Sequence, residues 1–226
     1  MGNQVAKGNA VRPSYQEIRW YPVKTPWILK KLYPAYTWEI GTKEKIIYLT
    51  FDDGPHPEAT VFVLEELRKY NARATFFCIG KNVQAQPDLF RRILEEGHSV
   101  GNHTQHHLNG WKTNDQLYLE DIALAARSID SRLFRPPYGK ITRFQAKNLS
   151  RVMKTNDTKI IMWSVLSGDF DSNMTRERCL QNVILNAGPG SIVVFHDSEK
   201  AYPLLQYTLP KVLHFFSEKG YRFERL

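Results

Sequence analysis

Cysteine is scarce in this chain, with only Cys78 and Cys179 among 226 residues. Two cysteines so far apart supply neither a disulfide framework nor a cysteine-based zinc site, and Cys78, inside the apolar run ATFFCIG, reads as a packed core residue. No stretch of about 18 apolar residues occurs, so no transmembrane helix is expected. The opening MGNQVAKGNAVRPSYQEIRW has no apolar core of signal-peptide type. That reads as a cytoplasmic protein, or as a cell-envelope or secreted one whose leader lies outside this sequence. The glycine-rich nucleotide fingerprints are missing too, since the DDGP that closes the first apolar run matches neither GxGxxG nor the P-loop pattern. Acidic residues are outnumbered, 23 against 31 basic, for a net charge of +8. Such an excess suits a polyanionic partner. The bases are scattered, however, with only pairs such as Lys30-Lys31 and Arg91-Arg92 and no stripe interleaved with aromatics, so no nucleic-acid partner is expected.

What is present suits one globular domain: 42% hydrophobic and 24% charged residues in a length typical of a single large domain. Residues 1–20 read as an irregular polar lead-in and 21–226 as the domain. WILKKLYP (27–34) is short and amphipathic. From Lys45 a rhythm sets in. IIYLTF (46–51), ATFFCIG (74–80), HSVGN (98–102), RLFRPPYG (132–139, entering a proline turn), KIIMWSV (159–165) and SIVVFHD (191–197) read as strands. Between them, helical spacing predicts helices at 59–71, 87–97, 114–130, 142–153, 175–188 and 209–220, with YRFERL as a last strand. This alternation predicts a parallel α/β sheet with helical crossovers. Several strands are apolar throughout, as strands buried on both faces are. About seven units fit a (β/α) barrel or an open doubly wound sheet.

The unusual polar residues fall just past strand ends, where parallel α/β folds gather their sites. YLTFDDGPHP (48–57) ends a strand on two adjacent carboxylates, Asp52 and Asp53, which repel each other unless a cation sits near. NHTQHHLNG carries His103 and His107 four apart, on one side of the loop if it coils helically, with His106 facing away. Two imidazoles and a carboxylate make a catalytic metal set with an open position. The second carboxylate is then free to act as general base, and spacing does not say which Asp does which. In RPPYG, Arg135 is a permanent cation able to hold a carboxylate ionised. Tyr138 offers the first free backbone N–H after two prolines, a candidate oxyanion donor. His196 is the natural general acid, with Asp169 as its candidate acidic neighbour, and Asp197 is left open with no role assigned.

TFDDGP, HTQHH, RPPY, WSVLSGDFD and VVFHD, in that order, resemble the five motifs of the polysaccharide deacetylases, the NodB homology domain of carbohydrate esterase family 4. The resemblance runs over roughly residues 40–220 and includes the flanking ATFFCIG and EEGHSVGNHT. It implies a distorted, NodB-like (β/α) barrel with fewer than eight units and a divalent metal, usually zinc. It also implies hydrolytic release of acetate from an N-acetylated sugar of a poly- or oligosaccharide. By the same resemblance Asp52 is the base, Asp53, His103 and His107 bind metal, and Arg135 supports Asp52. The Tyr138 backbone helps hold the oxyanion, and His196 is the acid with Asp169 as partner. The fourth motif departs from the usual DxxDW: it reads Leu166-Ser167-Gly168-Asp169-Phe170, with Leu for the first Asp and Phe for Trp. The fifth, usually LxH, reads Val194-Phe195-His196. Tyr138, Phe170 and Val194 are the substrate-binding candidates.

Three other readings stay open at this level. One is an O-acetyl esterase or cyclic-amide hydrolase on the same scaffold, and another a non-catalytic glycan-binding module, which has no use for an acid–base pair. The last is a basic scaffold for nucleic acid, whose binding would vanish with modest salt.

Overall fold

A computed structural model of the chain describes residues 21–226; the lead-in expected at 1–20 lies outside the described residues. Helix α1 (Trp27–Leu32) precedes strand β1 (Ile46–Asp53). There follow α2 (Ala59–Lys69), β2 (Ala74–Cys78), α3 (Gly80–Ala85), α4 (Pro87–Glu95), β3 (Ser99–Asn102), α5 (Asp115–Ala125), β4 (Leu133–Phe134) and α6 (Arg143–Met153). The chain closes with β5 (Lys159–Ile160), β6 (Val165–Leu166), α7 (Arg176–Ile184), β7 (Ile192–His196), α8 (Tyr202–Glu218) and β8 (Arg222–Phe223). Local chemistry sets the helix starts. Pro87 occupies the first turn of α4, where its missing N–H costs nothing. The Asn114 side chain caps α5, Thr142 and Gln145 form a capping box on α6, and Thr175 caps α7; each satisfies amides the helix cannot.

The strands lie in the order β5-β4-β3-β2-β1-β7-β6, with β8 beside the first residues of β1, and every ladder is parallel. The two margins, β5 and β6, are joined by residues 161–164 alone, which span at most about 18 Å when fully extended. The sheet therefore curls until its edges approach, giving the distorted (β/α) barrel that the motif order implied. Alternation sorts the side chains. Ile47, Leu49 and Phe51 point outward into a core shared with Leu64 and Leu67 of α2 and Leu209 and Val212 of α8. Tyr48 points inward with Phe77, Leu133, Ile161 and Ile192. The same parity carries Thr50 and Asp52 inward, so the interior turns polar toward the end where the strands finish.

The sequence reading needs correcting at several boundaries. KIIMWSV is not one strand; its ends form β5 and β6 on opposite margins, and its middle crosses the seam. There the Thr37 amide donates to Ile160 O at 2.9 Å, the Met162 amide to Thr37 O at 2.8 Å and the Thr25 amide to Ser164 O at 2.9 Å. ATFFCIG stops being strand at Cys78, and Gly80 opens α3. The last helix begins at Tyr202 rather than 209, because Pro203 sits in its first turn and Pro210 lies inside it. Pro210, just past the expected start at 209, is thus a tolerated interior proline, at the cost of one intrahelical bond.

Candidate active site

Asp52 and Asp53 end β1, and the register places Asp52 directly opposite His196 at the end of β7, on strands about 4.8 Å apart. The adjacent carboxylates diverge because Asp53 adopts a left-handed backbone, φ 84°, a conformation aspartate tolerates better than most residues. Asp52 turns into the barrel and Asp53 toward the histidines.

Arg135 follows β4 and is fully buried. Its guanidinium lies 4.1 Å from the Phe77 ring centre and spends every nitrogen. Nε donates to Ile161 O at 3.1 Å and Nη2 to Met162 O at 2.9 Å, both carbonyls of the seam. Nη1 donates to Thr50 Oγ1 and to Asp52 Oδ1, each at 2.7 Å. One side chain thus closes the barrel and holds the inward carboxylate. Burial raises the Asp52 pKa, but the Arg135 charge, His103, His196 and the Arg135 hydrogen bond outweigh it and hold the carboxyl below its ordinary value.

His103 and His107 do converge, with ring centroids 5.1 Å apart, yet not by the helical coil expected from their spacing. Thr104 and His107 take φ of 65° and 58°, and the loop is held by side chains instead. Asn102 Oδ1 accepts the Thr104 amide at 2.8 Å, and Asp121 Oδ2 accepts the amides of Gln105 at 2.9 Å and His106 at 3.0 Å. His106 turns away to put Nδ1 2.6 Å from Asp121 Oδ1. His103 Nδ1 sits 2.7 Å from Arg135 O; a carbonyl only accepts, so Nδ1 carries the proton and Nε2 is left with its lone pair.

The Asp53 Oδ1 atom is buried and has no hydrogen-bond partner among the described residues. It lies 3.3 Å from His107 Nε2 and 3.8 Å from His103 Nε2, and the three donor atoms all fall within 4.8 Å of one another. Burial lowers the His103 pKa, and burial with the neighbouring His103 charge lowers that of His107 to about 4. Two neutral imidazoles facing an orphaned carboxylate oxygen lack a proton to share between them. That donor set fits a divalent cation.

On the far side, Asp169 follows β6 and is buried. Its Oδ1 lies 2.8 Å from His196 Nδ1 and its Oδ2 accepts the His196 amide at 2.7 Å, with Ser167 Oγ donating to Oδ1 at 2.9 Å. Burial alone would lower the His196 pKa; the Asp169 charge and hydrogen bond reverse this and raise it to about 9. The Phe170 ring stands edge-on to the His196 ring at 5.2 Å, so the aromatic in the altered fourth motif packs on His196. Tyr138, φ 60°, keeps an exposed ring 4.7 Å from that of His107. Its amide has no acceptor among the described residues. Val194 is buried, two residues below His196 on the same face of β7, and contributes no solvent-facing wall.

Sequence reasoning missed Asp197. Its amide donates to Asp52 O at 3.0 Å, its Oδ1 accepts the Gly54 amide at 3.0 Å and its Oδ2 the Thr60 hydroxyl at 2.5 Å. It therefore clasps the turn on both sides of Asp53. A Cβ at Gly54 would meet Asp197 Oδ2 at 2.0 Å; the glycine of DDGP, read with this close approach in mind, was the available signal. A hollow of about 470 Å³ lies at the opposite end of the barrel, lined by Ser99, Leu133 and Lys159 at strand starts, and touches none of these groups.

The sequence model of the family described as polysaccharide deacetylase matches residues 39–156. The chain is 37% identical over 202 residues to a peptidoglycan-N-acetylglucosamine deacetylase of Bacillus cereus, covering 86% of this chain and 93% of that protein. It is 33% identical over 165 residues to a chitooligosaccharide deacetylase of Azorhizobium caulinodans, covering 70% and 76%. A crystal structure of a peptidoglycan N-acetylglucosamine deacetylase in complex with a naphthalenyl N-oxidanyl-benzamide superposes with a TM-score of 0.76 at 31% identity, covering 89% of this chain and 95% of that one. A family 4 pseudoenzyme of Bacillus anthracis shares the fold at 24% identity and a TM-score of 0.73, covering 88% and 69%. Likeness of fold is therefore no argument for turnover; the side chains have to carry it.

Proposed function

The chain belongs to the polysaccharide deacetylase family, and from that premise we propose that it hydrolyses the N-acetyl group of N-acetylglucosamine units in a peptidoglycan- or chitooligosaccharide-type glycan, releasing acetate. Asp53, His103 and His107 would hold a divalent metal, zinc by the chemistry of its donors. Such an ion, when bound, polarises the amide carbonyl and makes water more acidic.

The chain's own residues do the rest. Asp52 has one oxygen committed to Arg135 and its pKa held low, so it is ionised at neutral pH and takes a proton from the attacking water as the C–O bond forms. The free Tyr138 amide donates to the oxyanion. His196 is bonded through Nδ1 to Asp169 and, with its pKa raised to about 9, carries a proton on Nε2 at neutral pH. That proton passes to the amine nitrogen as the C–N bond breaks. Acetate and the free amino sugar leave, and proton exchange with water resets both groups.

The observation that carries the reading is the opposite tuning of two inward neighbours across β1 and β7: an Asp pushed down and a His pushed up. Environments that drive two titrating groups apart assign the base and the acid. The test is acetate release from N-acetylglucosamine oligomers by purified protein, before and after chelation and with zinc restored. Release that stops with chelator and returns with zinc supports both the reaction and the metal. Acetate from O-acetyl but not N-acetyl substrates would overturn the amide assignment.

A further inference from the structure

Helix α1 carries its polarity inside out. None of its six residues is buried, and five of the eleven large exposed apolar side chains among the described residues fall between Trp27 and Tyr33. Trp27 is 71% exposed, Ile28 52% and Leu32 63%. At about 100° per residue, Ile28, Leu29, Leu32 and Tyr33 share one arc and Lys30 lies opposite. It is the Lys30 side chain, 23% exposed and paired with Glu39, that turns toward the protein body. The usual amphipathic helix buries its apolar arc; this one presents it.

The arrangement is not slack chain. Pro26 and Pro34 bracket the helix. The Thr25 hydroxyl donates to Trp163 O at 2.7 Å, Trp38 Nε1 donates to Tyr33 O at 3.0 Å, and the rings of Tyr33 and Tyr36 stack at 5.4 Å. The apolar face is mounted rigidly on the barrel seam, outside the candidate active site. A fixed, contiguous apolar patch of this kind marks an interaction surface.

We infer that α1 docks this chain on an anionic lipid surface, with Ile28, Leu29, Leu32 and Tyr33 entering the headgroup boundary, Trp27 at the flank of that arc, and Lys24 and Lys31 meeting lipid phosphates. Charge selects the occupant. Of the three lysines in residues 21–38, Lys30 is paired with Glu39, and Lys24 and Lys31 have no carboxylate partner among the described residues, in a chain of net charge +8. A two-fold pairing of two copies through this patch would set those lysines against their own images. Trp and Tyr beside Lys is the composition of an interfacial anchor, and a polar glycan offers no hydrocarbon to receive Ile28 and Leu32. No helix among the described residues is long and apolar enough to cross a membrane, so α1 lies on the bilayer.

The test is cosedimentation of the full chain with vesicles of phosphatidylglycerol and phosphatidylcholine, against pure phosphatidylcholine, at low and high salt. Binding to the anionic vesicles should be at least about tenfold tighter and should weaken with salt. Ile28→Ser with Leu32→Ser should remove it. Lys31→Glu, which keeps every apolar residue, should cost fivefold or more, since each basic residue at such a surface contributes about that factor. Acetate release from soluble oligomers should stay at the parent rate in all variants, so this outcome is separable from the proposed reaction. The inference is overturned if the parent chain binds both vesicles alike, if the double serine variant binds as the parent does, or if those serines instead abolish a concentration-dependent dimer.

Discussion

At the end of the barrel where the strands finish, Asp52, His103, Arg135 and Asp169 are buried, and each has a hydrogen-bond partner at 3.1 Å or less. At the end where the strands begin, a hollow of about 470 Å³ is ringed by Asp130, Arg132 and Lys159, all exposed, none ion-paired among the described residues. One end has a hollow ringed by loose charge; the other has charge locked in place. A buried charge is destabilising unless partners hold it, so a fold keeps several together only where their positions matter. Held charge, not volume, locates the chemistry. The contrast is testable by damaging each end in turn.

The largest effect should come from Asp52→Asn, which keeps shape and loses the base. Acetate release should fall about 10²–10⁴-fold, while zinc measured after dialysis stays bound. Near-full activity would remove Asp52 from the mechanism. Arg135→Met attacks the same end through stability. It leaves Asp52 buried without its cation and two seam carbonyls without their donor. Urea unfolding at neutral pH should show a loss of about 3–5 kcal/mol, the usual result of breaking a buried pair from one side. A loss below about 1 kcal/mol, the range of exposed pairs, would mean the seam holds by other means.

The contrast between the ends also explains what could be read from sequence. Strand-end placement of Asp52, Asp53, His103, Arg135, Asp169 and His196 follows from hydrophobic runs that stop at polar residues, and parallel topology brings such stops to one face. The parallel alternation was legible for the same reason, while the choice of a barrel over an open doubly wound sheet rested on the motif resemblance. Pairing was not: an apolar run such as KIIMWSV does not say that its halves belong to opposite margins, because partner choice is settled by strands distant in sequence. The four-residue spacing of His103 and His107 suggested a coil, whereas Asn102 and Asp121 impose left-handed turns that achieve the same convergence. The adjacent carboxylates were not separable by spacing either; the φ of 84° at Asp53 is what parts them. Asp197 looked idle because Thr60 and Gly54 lie some 140 positions earlier.

That clasp supplies the next prediction. Asp197 holds the turn from both sides of Asp53 without touching the proposed ion. Burial raises the Asp197 pKa to about 8, yet both its oxygens accept hydrogen bonds, and Asp197→Asn must offer an N–H₂ at one of them. Zinc affinity, read by chelator competition, should fall about 10–100-fold, the range seen when partners behind a metal ligand are altered. Thermal unfolding of the zinc-free protein should move little. Unchanged affinity would reduce Asp197 to a packing role.

A smaller, graded effect concerns the acid. The His196 pKa is raised to about 9 by Asp169, above the ordinary value near 6.5. The pair therefore contributes stability that is fully present below about pH 6.5 and is lost as pH rises through about 9. The rate should fall over the same upper range as the proton leaves. Asp169→Asn removes the charge that lifts the pKa, so the alkaline limb should move to lower pH, measured as acetate release from pH 6 to 10. A limb that stays in place would assign it to another group.

The smallest effect should come from the roomy end. Lys159→Ala and Arg132→Ala remove exposed charges that no described carboxylate pairs with, and surface changes of this sort stay within about 0.5 kcal/mol. Acetate release should remain within about twofold of the parent, since 0.5 kcal/mol corresponds to little more than a factor of two. The comparison depends on this null result as much as on the large losses. If emptying the lower rim slowed turnover tenfold while leaving stability alone, that hollow would be coupled to the reaction. Held charge would then account for the chemistry of only half of the barrel.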